Sequence, residues 1–192
     1  TGRTAPQRTR TRPARTTPTP KDKHHAPERQ RPRIPRETPI SIRSAFYQNI
    51  YLRLDGTGVV ANTTPGGGKV NCQYGPGPET SFRLRSQGSG VYALESVAYP
   101  NVFLRMDASG LPGNGAGGGT VNCQYNAGVY EKFTFSAQPD GSFVTGSATF
   151  QNACLRMTPG SGVTPATGPG GTVNCQLKSV SDSGTKFILD IA

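Results

Sequence analysis

One short motif occurs three times in this chain and constrains its fold more than any other feature. It reads Val70-Asn71-Cys72-Gln73-Tyr74, then Val121-Asn122-Cys123-Gln124-Tyr125, then Val173-Asn174-Cys175-Gln176-Leu177. The cysteines are 51 and 52 residues apart, and each copy follows a glycine-rich turn. A repeat of fixed period means that each copy is one structural unit and that the units bury a core together. The sequence therefore predicts one threefold domain.

A second motif, Leu-Arg followed by Leu or Met, stands 19 or 20 residues before each cysteine. Its copies are Leu52-Arg53-Leu54, Leu104-Arg105-Met106 and Leu155-Arg156-Met157. From Ile40 onward, short apolar runs alternate with Gly, Pro, Asn and Asp, and no window has helical periodicity, which is typical of an all-β domain. Alternation along each strand places the aliphatic residues and cysteines of both motifs inside, and their Arg, Asn and Gln side chains outside.

Alignment of the copies predicts four strands in each repeat, over residues of about 40–88, 89–139 and 140–192. Twelve strands in three groups of four, sharing one core, describe a β-trefoil. In this fold the last strand closes the barrel beside the first, which removes free sheet edges. We therefore expect an all-β domain over residues 40–192, preceded by a separate segment.

That segment, residues 1–39, differs in composition from the rest of the chain. It carries 11 Lys and Arg against 3 Asp and Glu, a net charge of +8, whereas residues 40–192 supply only +2 of the total +10. It has eight Pro, eight Thr, no aromatic residue and one large aliphatic residue, Ile34. It cannot bury enough apolar surface to offset its ordering entropy, so we expect a disordered or extended basic arm. Three roles stay open: a solvated linker, binding of an anionic polymer, and threading along a partner in an assembly.

Two stretches of the domain resemble known trefoil families. The Tyr99-Pro100-Asn101 turn followed by Leu104-Arg105-Met106 is similar to the arabinofuranosidase-type carbohydrate-binding trefoils. The run 117–125, followed by Tyr130-Glu131-Lys132-Phe133, resembles the fascin-like trefoils, including those attached to bacterial glycoside hydrolases. The resemblance covers residues 40–192 and implies a trefoil that binds carbohydrate. In the arabinose-binding family a sugar-pocket His follows the Leu-Arg pair; this chain has Leu54, Met106 and Met157 there, so that pocket is not implied.

Outward polar side chains near the repeated turns are the candidate ligand-binding residues. Carboxylates and amides can hydrogen-bond sugar hydroxyls, and tyrosine rings offer a face on which sugars stack. Because the third repeat has Thr158 and Leu177 in place of Asp and Tyr, two sites are favoured over three. Alternatively, the repeated amides hydrogen-bond the backbone of the turns. The candidates are Asp55, Asn71, Gln73 and Tyr74 in the first repeat, and Asp107, Asn122, Gln124 and Tyr125 in the second.

No catalytic residue, metal site or cofactor is predicted. Residues 40–192 contain no His, which removes His-dependent catalysis and imidazole metal ligands from the domain. Their eight carboxylates show no position that recurs in all three repeats, and His24-His25 stand apart from other metal ligands. The sequence therefore favours a protein that is not an enzyme.

The four cysteines allow two arrangements. Cys72, Cys123 and Cys175 occupy equivalent inward positions without C-x-x-C spacing, which is typical of small buried hydrophobic residues. Cys154 lies on the strand before Cys175, so a Cys154–Cys175 disulfide across one hairpin is the other arrangement, provided that the geometry is met.

These observations favour a non-catalytic, lectin-like module that is secreted and binds a polysaccharide or glycan. The alternative is a structural protein whose arm threads along a partner or polymer while the trefoil decorates the surface. No run of 18 apolar residues occurs, so we expect no membrane insertion.

Removal of residues 1–39 distinguishes glycan binding by the trefoil from binding or assembly through the arm. If the trefoil is the functional part, the shortened chain keeps its glycan binding, and salt has little effect on it. If the arm is the functional part, binding or incorporation into an assembly is lost with the arm, and binding by the intact chain falls as salt rises because bound counterions are released. Pull-down on polysaccharides at low and high salt, with both chains, measures the difference.

Overall fold

The computed structural model describes residues 1–2, 38–111, 117–179 and 181–192. The basic arm predicted over residues 1–39 lies almost entirely outside the described residues, so its predicted conformation, its boundary and its three roles stay predictions. The regular structure in the described residues is β-strand, with three short 3₁₀ turns at Pro78–Thr80, Gly160–Gly162 and Ser183–Thr185. Within these residues there is no helix with the length and apolarity needed to cross a membrane.

Twelve strands form one continuous sheet, four in each predicted repeat. In chain order they are β1 (Ile40–Ser44), β2 (Ile50–Asp55), β3 (Lys69–Tyr74), β4 (Ser81–Ser86), β5 (Val91–Ser96), β6 (Val102–Asp107), β7 (Gly119–Tyr125), β8 (Phe133–Ala137), β9 (Phe143–Ser147), β10 (Ala153–Thr158), β11 (Thr172–Leu177) and β12 (Lys186–Ile191).

Six of these strands close into a barrel through antiparallel pairs. β1 pairs with β4, β4 with β5, β5 with β8, β8 with β9, β9 with β12, and β12 with β1. The last pairing sets Ile40 opposite Ile191 and confirms the predicted closure. Next to it, the backbone N–H of Ala192 donates to the carbonyl of Pro39 at 2.9 Å. The barrel therefore has no free edge, and the two ends of the domain lie side by side.

The other six strands form three hairpins: β2–β3, β6–β7 and β10–β11, each with six paired residues. The two repeated motifs are the two strands of each hairpin, since Leu52 lies opposite Cys72, Leu104 opposite Cys123, and Leu155 opposite Cys175. One residue pair joins each hairpin to the barrel, for example Arg43 with Tyr51. A six-stranded barrel carrying three equivalent hairpins confirms the predicted β-trefoil.

The core is threefold as well. Phe82, Phe133 and Phe187, near the starts of the fourth strands, are fully buried together with the leucines and methionines of the Leu-Arg motifs. Burial of each such side chain stabilises the fold by about 1.5–3 kcal/mol. No single repeat could cover these residues, so the repeats fold as one unit.

Serine residues make equivalent turns between the first and second strands of each repeat. The Oγ atoms of Ser44, Ser96 and Ser147 accept hydrogen bonds from backbone N–H groups three residues later, at 2.9–3.2 Å. Their donors are Tyr47, Tyr99 and Phe150, which therefore occupy the same position in the three turns. This equivalence lets the three repeats be compared residue by residue.

Each glycine-rich turn pairs with the cysteine strand of the next repeat. Gly67 exchanges two backbone hydrogen bonds with Cys123, both of 2.8 Å, and Gly170 exchanges two with Cys72, of 2.7 and 2.9 Å. The N–H of Gly118 donates to the carbonyl of Cys175 at 3.1 Å. The three turns thus form a cyclic chain of contacts, first repeat to second, second to third, and third to first. This glycine–cysteine ring explains why the two features occur together in the sequence.

All four cysteines belong to the described residues, and all are free and buried. Burial raises the pKa of the Cys72, Cys123 and Cys175 thiols to about 12, so these thiols stay protonated and unreactive. The structure does not contain the Cys154–Cys175 disulfide. Cys154 pairs with Gln176, and Cys175 pairs with Leu155, so the register places the two cysteines on opposite faces of the hairpin.

Gly119→Ala tests the glycine–cysteine ring. A Cβ atom at Gly119 would overlap Sγ of Cys175 and lie 2.9 Å from the carbonyl oxygen of Asp107. We expect the free energy of unfolding to fall by about 1–3 kcal/mol, measured by urea denaturation. Gly162→Ala is the matched control, because no atom lies within 4 Å of an added Cβ there. Equal stabilities of the two variants would contradict the steric role of Gly119.

Candidate functional site

An arginine–carboxylate pair recurs at the same place in each repeat. The arginine of the Leu-Arg motif faces an acidic residue 26 positions later, in the turn before the fourth strand: Arg53 with Glu79, Arg105 with Glu131, and Arg156 with Asp182. The expectation that no carboxylate recurs in all three repeats is therefore wrong. The offset from the cysteine varies between seven and eight residues, and the third member is Asp. In the sequence, the constant separation of 26 residues from the arginine is the pattern that identifies these three carboxylates.

These arginines are more deeply covered than strand alternation predicts. The side chain of Arg105 is only 3% exposed, and that of Arg53 is 11% exposed. Loops fold over this face of the hairpins, and the carbonyl of Thr64 accepts a hydrogen bond from Nη2 of Arg105 at 3.4 Å. The predicted outward exposure of these arginines is wrong, because alternation identifies the face of a strand but not the loop that covers it.

Asn71 and Asn122 hold the arginines that lie opposite them in their hairpins. Oδ1 of Asn71 accepts from Nη1 of Arg53 at 3.3 Å, and Oδ1 of Asn122 accepts from Nη1 of Arg105 at 3.5 Å. Nδ2 of Asn122 also donates to the carbonyl of Pro65 at 2.7 Å. Asn71 lies on the predicted outer face, opposite Arg53, but it is buried there and not exposed. Asn122 thus hydrogen-bonds the backbone of a turn, as the alternative interpretation of the motif expects, whereas the hydrogen bond of Asn71 is to an arginine side chain.

Asp55 and Asp107 complete the same clusters. Oδ2 of Asp55 accepts from Nη2 of Arg53 at 3.1 Å, and Oδ2 of Asp107 accepts from Nη2 of Arg105 at 3.0 Å. The backbone N–H of Thr57 donates to Oδ1 of Asp55 at 3.1 Å. Hydrogen bonds from Thr57 and Arg53 stabilise the charged carboxylate and hold the pKa of Asp55 at about 2. The two aspartates therefore have protein partners.

The predicted glutamines organise turns. Gln124 binds the backbone of Thr63 in both directions: Oε1 accepts from its N–H at 3.1 Å, and Nε2 donates to its carbonyl at 2.6 Å. Nε2 of Gln73 donates to the carbonyl of Gly75 at 3.3 Å. The amide of Gln124 thereby fixes one wall of the pocket described below.

The predicted tyrosines differ in exposure. Tyr125 packs against the hydrophobic core. Tyr74 is 38% exposed, and its hydroxyl accepts a hydrogen bond from Nδ2 of Asn49 at 3.1 Å. Tyr125 is only partly buried, so Tyr74 is the more exposed of the two.

In the first repeat, a tyrosine hydroxyl closes the arginine–carboxylate cluster. Nε of Arg53 donates to Oε2 of Glu79 at 2.5 Å. The hydroxyl of Tyr99, which comes from the turn of the second repeat, lies 2.8 Å from Oε1 of Glu79 and 3.2 Å from Oδ1 of Asp55. Both carboxylate oxygens of Glu79 are thus engaged by the protein itself.

In the second repeat, a pocket of about 390 Å³ opens beside the equivalent cluster. One wall is the segment Asn62–Thr64, the other is the turn 126–131, and Arg105 and Gln124 lie between them. The guanidinium carbon of Arg105 lies 4.9 Å from the centre of the Tyr130 ring, in cation–π contact. Burial raises the pKa of the Glu131 carboxyl.

The pocket residues were only partly predicted from the sequence. Gln124 is the predicted residue that lines this pocket, whereas Asn62, Thr64, Tyr130 and Glu131 were not predicted as ligand-binding residues. Tyr130 and Glu131 do belong to the stretch that carries the trefoil resemblance. The described residues contain no group of three or more metal-ligating His, Cys, Asp and Glu side chains.

Solved structures with the same fold include a toxin, a lectin and a further β-trefoil. Neither a protein-family model nor a curated protein sequence matches the chain. A mosquitocidal holotoxin aligns with a TM-score of 0.62 and 12% identity over 83% of this chain. The Polyporus squamosus lectin, bound to the epitope Neu5Acα2-6Galβ1-4GlcNAc, aligns with a TM-score of 0.59 and 14% identity over 82%. The BEL β-trefoil aligns with a TM-score of 0.55 and 18% identity over 84%.

These similarities concern the fold alone, because every identity is low. The chain spans 18% of the holotoxin chain and 50% of the Polyporus lectin chain, but 99% of the BEL trefoil. The domain is a β-trefoil. The structures that share its fold include a lectin with a bound glycan epitope, and neither the arabinofuranosidase-type nor the fascin-like family is specifically matched.

The pH dependence of the stability of an Asp55→Asn variant tests the role of Asp55 in the first cluster. The folded-state pKa of Asp55, about 2, lies below the ordinary value of 3.8, so its contribution to stability is present above pH 3.8 and is lost as pH falls towards 2. We expect the variant to be less stable than the wild type by about 1–2 kcal/mol near neutral pH, allowing for partial solvent screening. Urea denaturation at several pH values should show the difference shrinking below pH 3.8. A difference independent of pH would contradict this role.

Proposed function

We propose that the β-trefoil is a non-catalytic, lectin-like module that binds carbohydrate. The observation that carries the proposal is the second-repeat pocket, whose lining includes several neutral hydrogen-bonding side chains. Asn62 and Asn126 supply amides, Thr63 and Thr64 supply hydroxyls, and Tyr130 adds an aromatic ring. A sugar presents hydroxyl donors and acceptors together with apolar C–H faces, which matches such a lining. The volume of about 390 Å³ lies at the lower end of the range of small-molecule sites.

Preorganisation of the pocket supports the proposal. The segment Asn62–Thr64 is held by the amide of Gln124 and by the guanidinium of Arg105. The opposite turn is held by the N–H of Gly128, which donates to Oε2 of Glu131 at 2.7 Å, and by the hydroxyl of Thr149, which donates to the carbonyl of Val129. Walls that are already ordered lose little conformational entropy when a ligand binds.

The proposal assigns no catalysis to the domain. A paired-carboxylate mechanism needs one carboxyl that is protonated near neutral pH and a second that is free to attack or to activate water. Asp55 and Glu79 share the hydroxyl of Tyr99 and the guanidinium of Arg53, so both carboxylates already have hydrogen-bond partners within the protein. The similarity of the fold to the Polyporus squamosus lectin supports the same conclusion.

We also propose that the protein acts outside the cell, where polysaccharides and cell-surface glycans are exposed. The structural role, with the arm threading along a partner, is the alternative proposal. No feature of the described residues favours it over glycan binding.

Glycan-array binding of the full chain at low and high salt tests the proposed function. We expect salt-resistant binding to at least one glycan, because the pocket offers hydrogen bonds rather than a basic surface. Asn62→Ala removes a rim amide and should weaken this binding by about three- to tenfold. Gln48→Ala, an exposed amide that does not line the pocket, should leave it unchanged. No binding at millimolar glycan would end the proposal, and binding that is abolished by salt would transfer the function to the arm.

A further inference from the structure

The three arginine–carboxylate pairs differ in one respect. Nε of the arginine is 2.5 Å from the carboxylate in the first repeat and 2.7 Å in the third, but 3.8 Å in the second. The first two distances are hydrogen bonds, and the last is too long for one. The pair Arg105–Glu131 is nonetheless the most buried of the three, with both side chains 3% exposed. A buried pair with an unfilled gap needs an explanation.

In the first and third repeats, the protein supplies a donor to each carboxylate oxygen. Glu79 receives Nε of Arg53 on Oε2 and the hydroxyl of Tyr99 on Oε1. Asp182 receives Nε of Arg156 on Oδ2 and the N–H of Gly184 on Oδ1. A cavity of about 370 Å³ touches Asp182, but neither of its oxygens is open.

In the second repeat, one carboxylate oxygen receives no hydrogen bond from another described residue. Oε2 of Glu131 accepts from the N–H of Gly128, but no other residue in the described part of the chain donates a hydrogen bond to Oε1. The residue equivalent to Tyr99 is Phe150, which occupies the same position in its serine turn and has no hydroxyl. Phe150 packs 5.2 Å from the ring of Tyr130, next to Glu131. The second repeat therefore lacks the hydroxyl that closes the first cluster, and no backbone N–H of another described residue takes its place on Oε1.

We propose that this open position is the ligand site, and that a hydroxyl of a neutral saccharide takes the place that the Tyr99 hydroxyl has in the first repeat. The inference deepens the proposed function and rests on it. The ligand hydroxyl donates to Oε1 of Glu131 and accepts from Nε of Arg105. An oxygen about 2.8 Å from both atoms forms a closed triangle whose third side is the observed 3.8 Å. The trefoil then has one site of this kind rather than the two expected from the motif.

The charges at the site select a neutral ligand. Arg105 lies between Glu131 and Asp107, at 3.8 and 3.0 Å, so its positive charge is already balanced by two carboxylates. A carboxylated or sulfated sugar would place another negative charge beside Glu131, which repels it. A neutral sugar supplies the missing donor without adding charge.

Phe150→Tyr is the decisive variant, because it restores in the second repeat the hydroxyl found in the first. The full ¹⁵N-labelled chain is titrated with D-galactose, D-mannose and N-acetyl-D-glucosamine, and with N-acetylneuraminic acid as the acidic counterpart. We expect a neutral sugar to shift the NMR signals of the Gly128 amide and the Arg105 Nε–H. Phe150→Tyr should weaken that binding by about tenfold or more, since its hydroxyl competes for Oε1 of Glu131. Tyr99→Phe, the matched control in the first repeat, should leave the affinity within about twofold.

Each other outcome overturns a defined part of the inference. Wild-type affinity in Phe150→Tyr, or shifts centred on Glu79 or Asp182, would overturn the site and leave the proposed function standing. Tighter binding of N-acetylneuraminic acid than of any neutral sugar would overturn the ligand class. No binding of any sugar would end the proposed function and this inference together. If Phe150→Tyr does not fold, Glu131→Gln provides the same test, with circular dichroism as the folding control and an expected loss of about tenfold.

Discussion

Backbone hydrogen bonds between each glycine-rich turn and the cysteine strand of the next repeat hold the three hairpins together. They require close approach: a Cβ on Gly68 would lie 2.8 Å from Sγ of Cys123 and 2.6 Å from the carbonyl oxygen of Asp55. Only glycine permits this packing, and only a small apolar side chain such as cysteine fits beneath it. The loop that leads into Gly66–Gly68 also carries Thr63 and Thr64, which form one wall of the pocket. The ring therefore positions the candidate site as well as the hairpins.

The threefold plan separates what the fold needs from what a ligand needs. Features present in all three repeats, such as the serine turns and the arginine–carboxylate pairs, stabilise the scaffold. A feature that differs in a single repeat has no such explanation. The aromatic residue of the serine turn is one: it is Tyr47 and Tyr99 in the first two repeats but Phe150 in the third. Repetition is thus evidence of structure, and a local break in the repetition is the place to look for binding.

Much of the fold was predictable from the sequence, and less of the site. The spacing of Cys72, Cys123 and Cys175 predicts the twelve strands, because repeated hydrophobic patterns report on local structure and a shared core. Burial of Asn71 and Arg105 was not predictable, since it depends on loops packed over the outer face of the hairpins. The Cys154–Cys175 bridge was a wrong alternative because strand register decides which side chains share a face. Glu131 escaped prediction because its role comes from a contact with Arg105, 26 residues away.

The hydrogen bond between Ala192 and Pro39 has a topological consequence. The chain enters and leaves the barrel at one point, so the three repeats form a closed circle that happens to be cut between β12 and β1. Physically no repeat is the first. A circularly permuted domain, opened between β4 and β5 and with Pro39 joined to Ala192, would make the same contacts with its strands in a different order along the sequence.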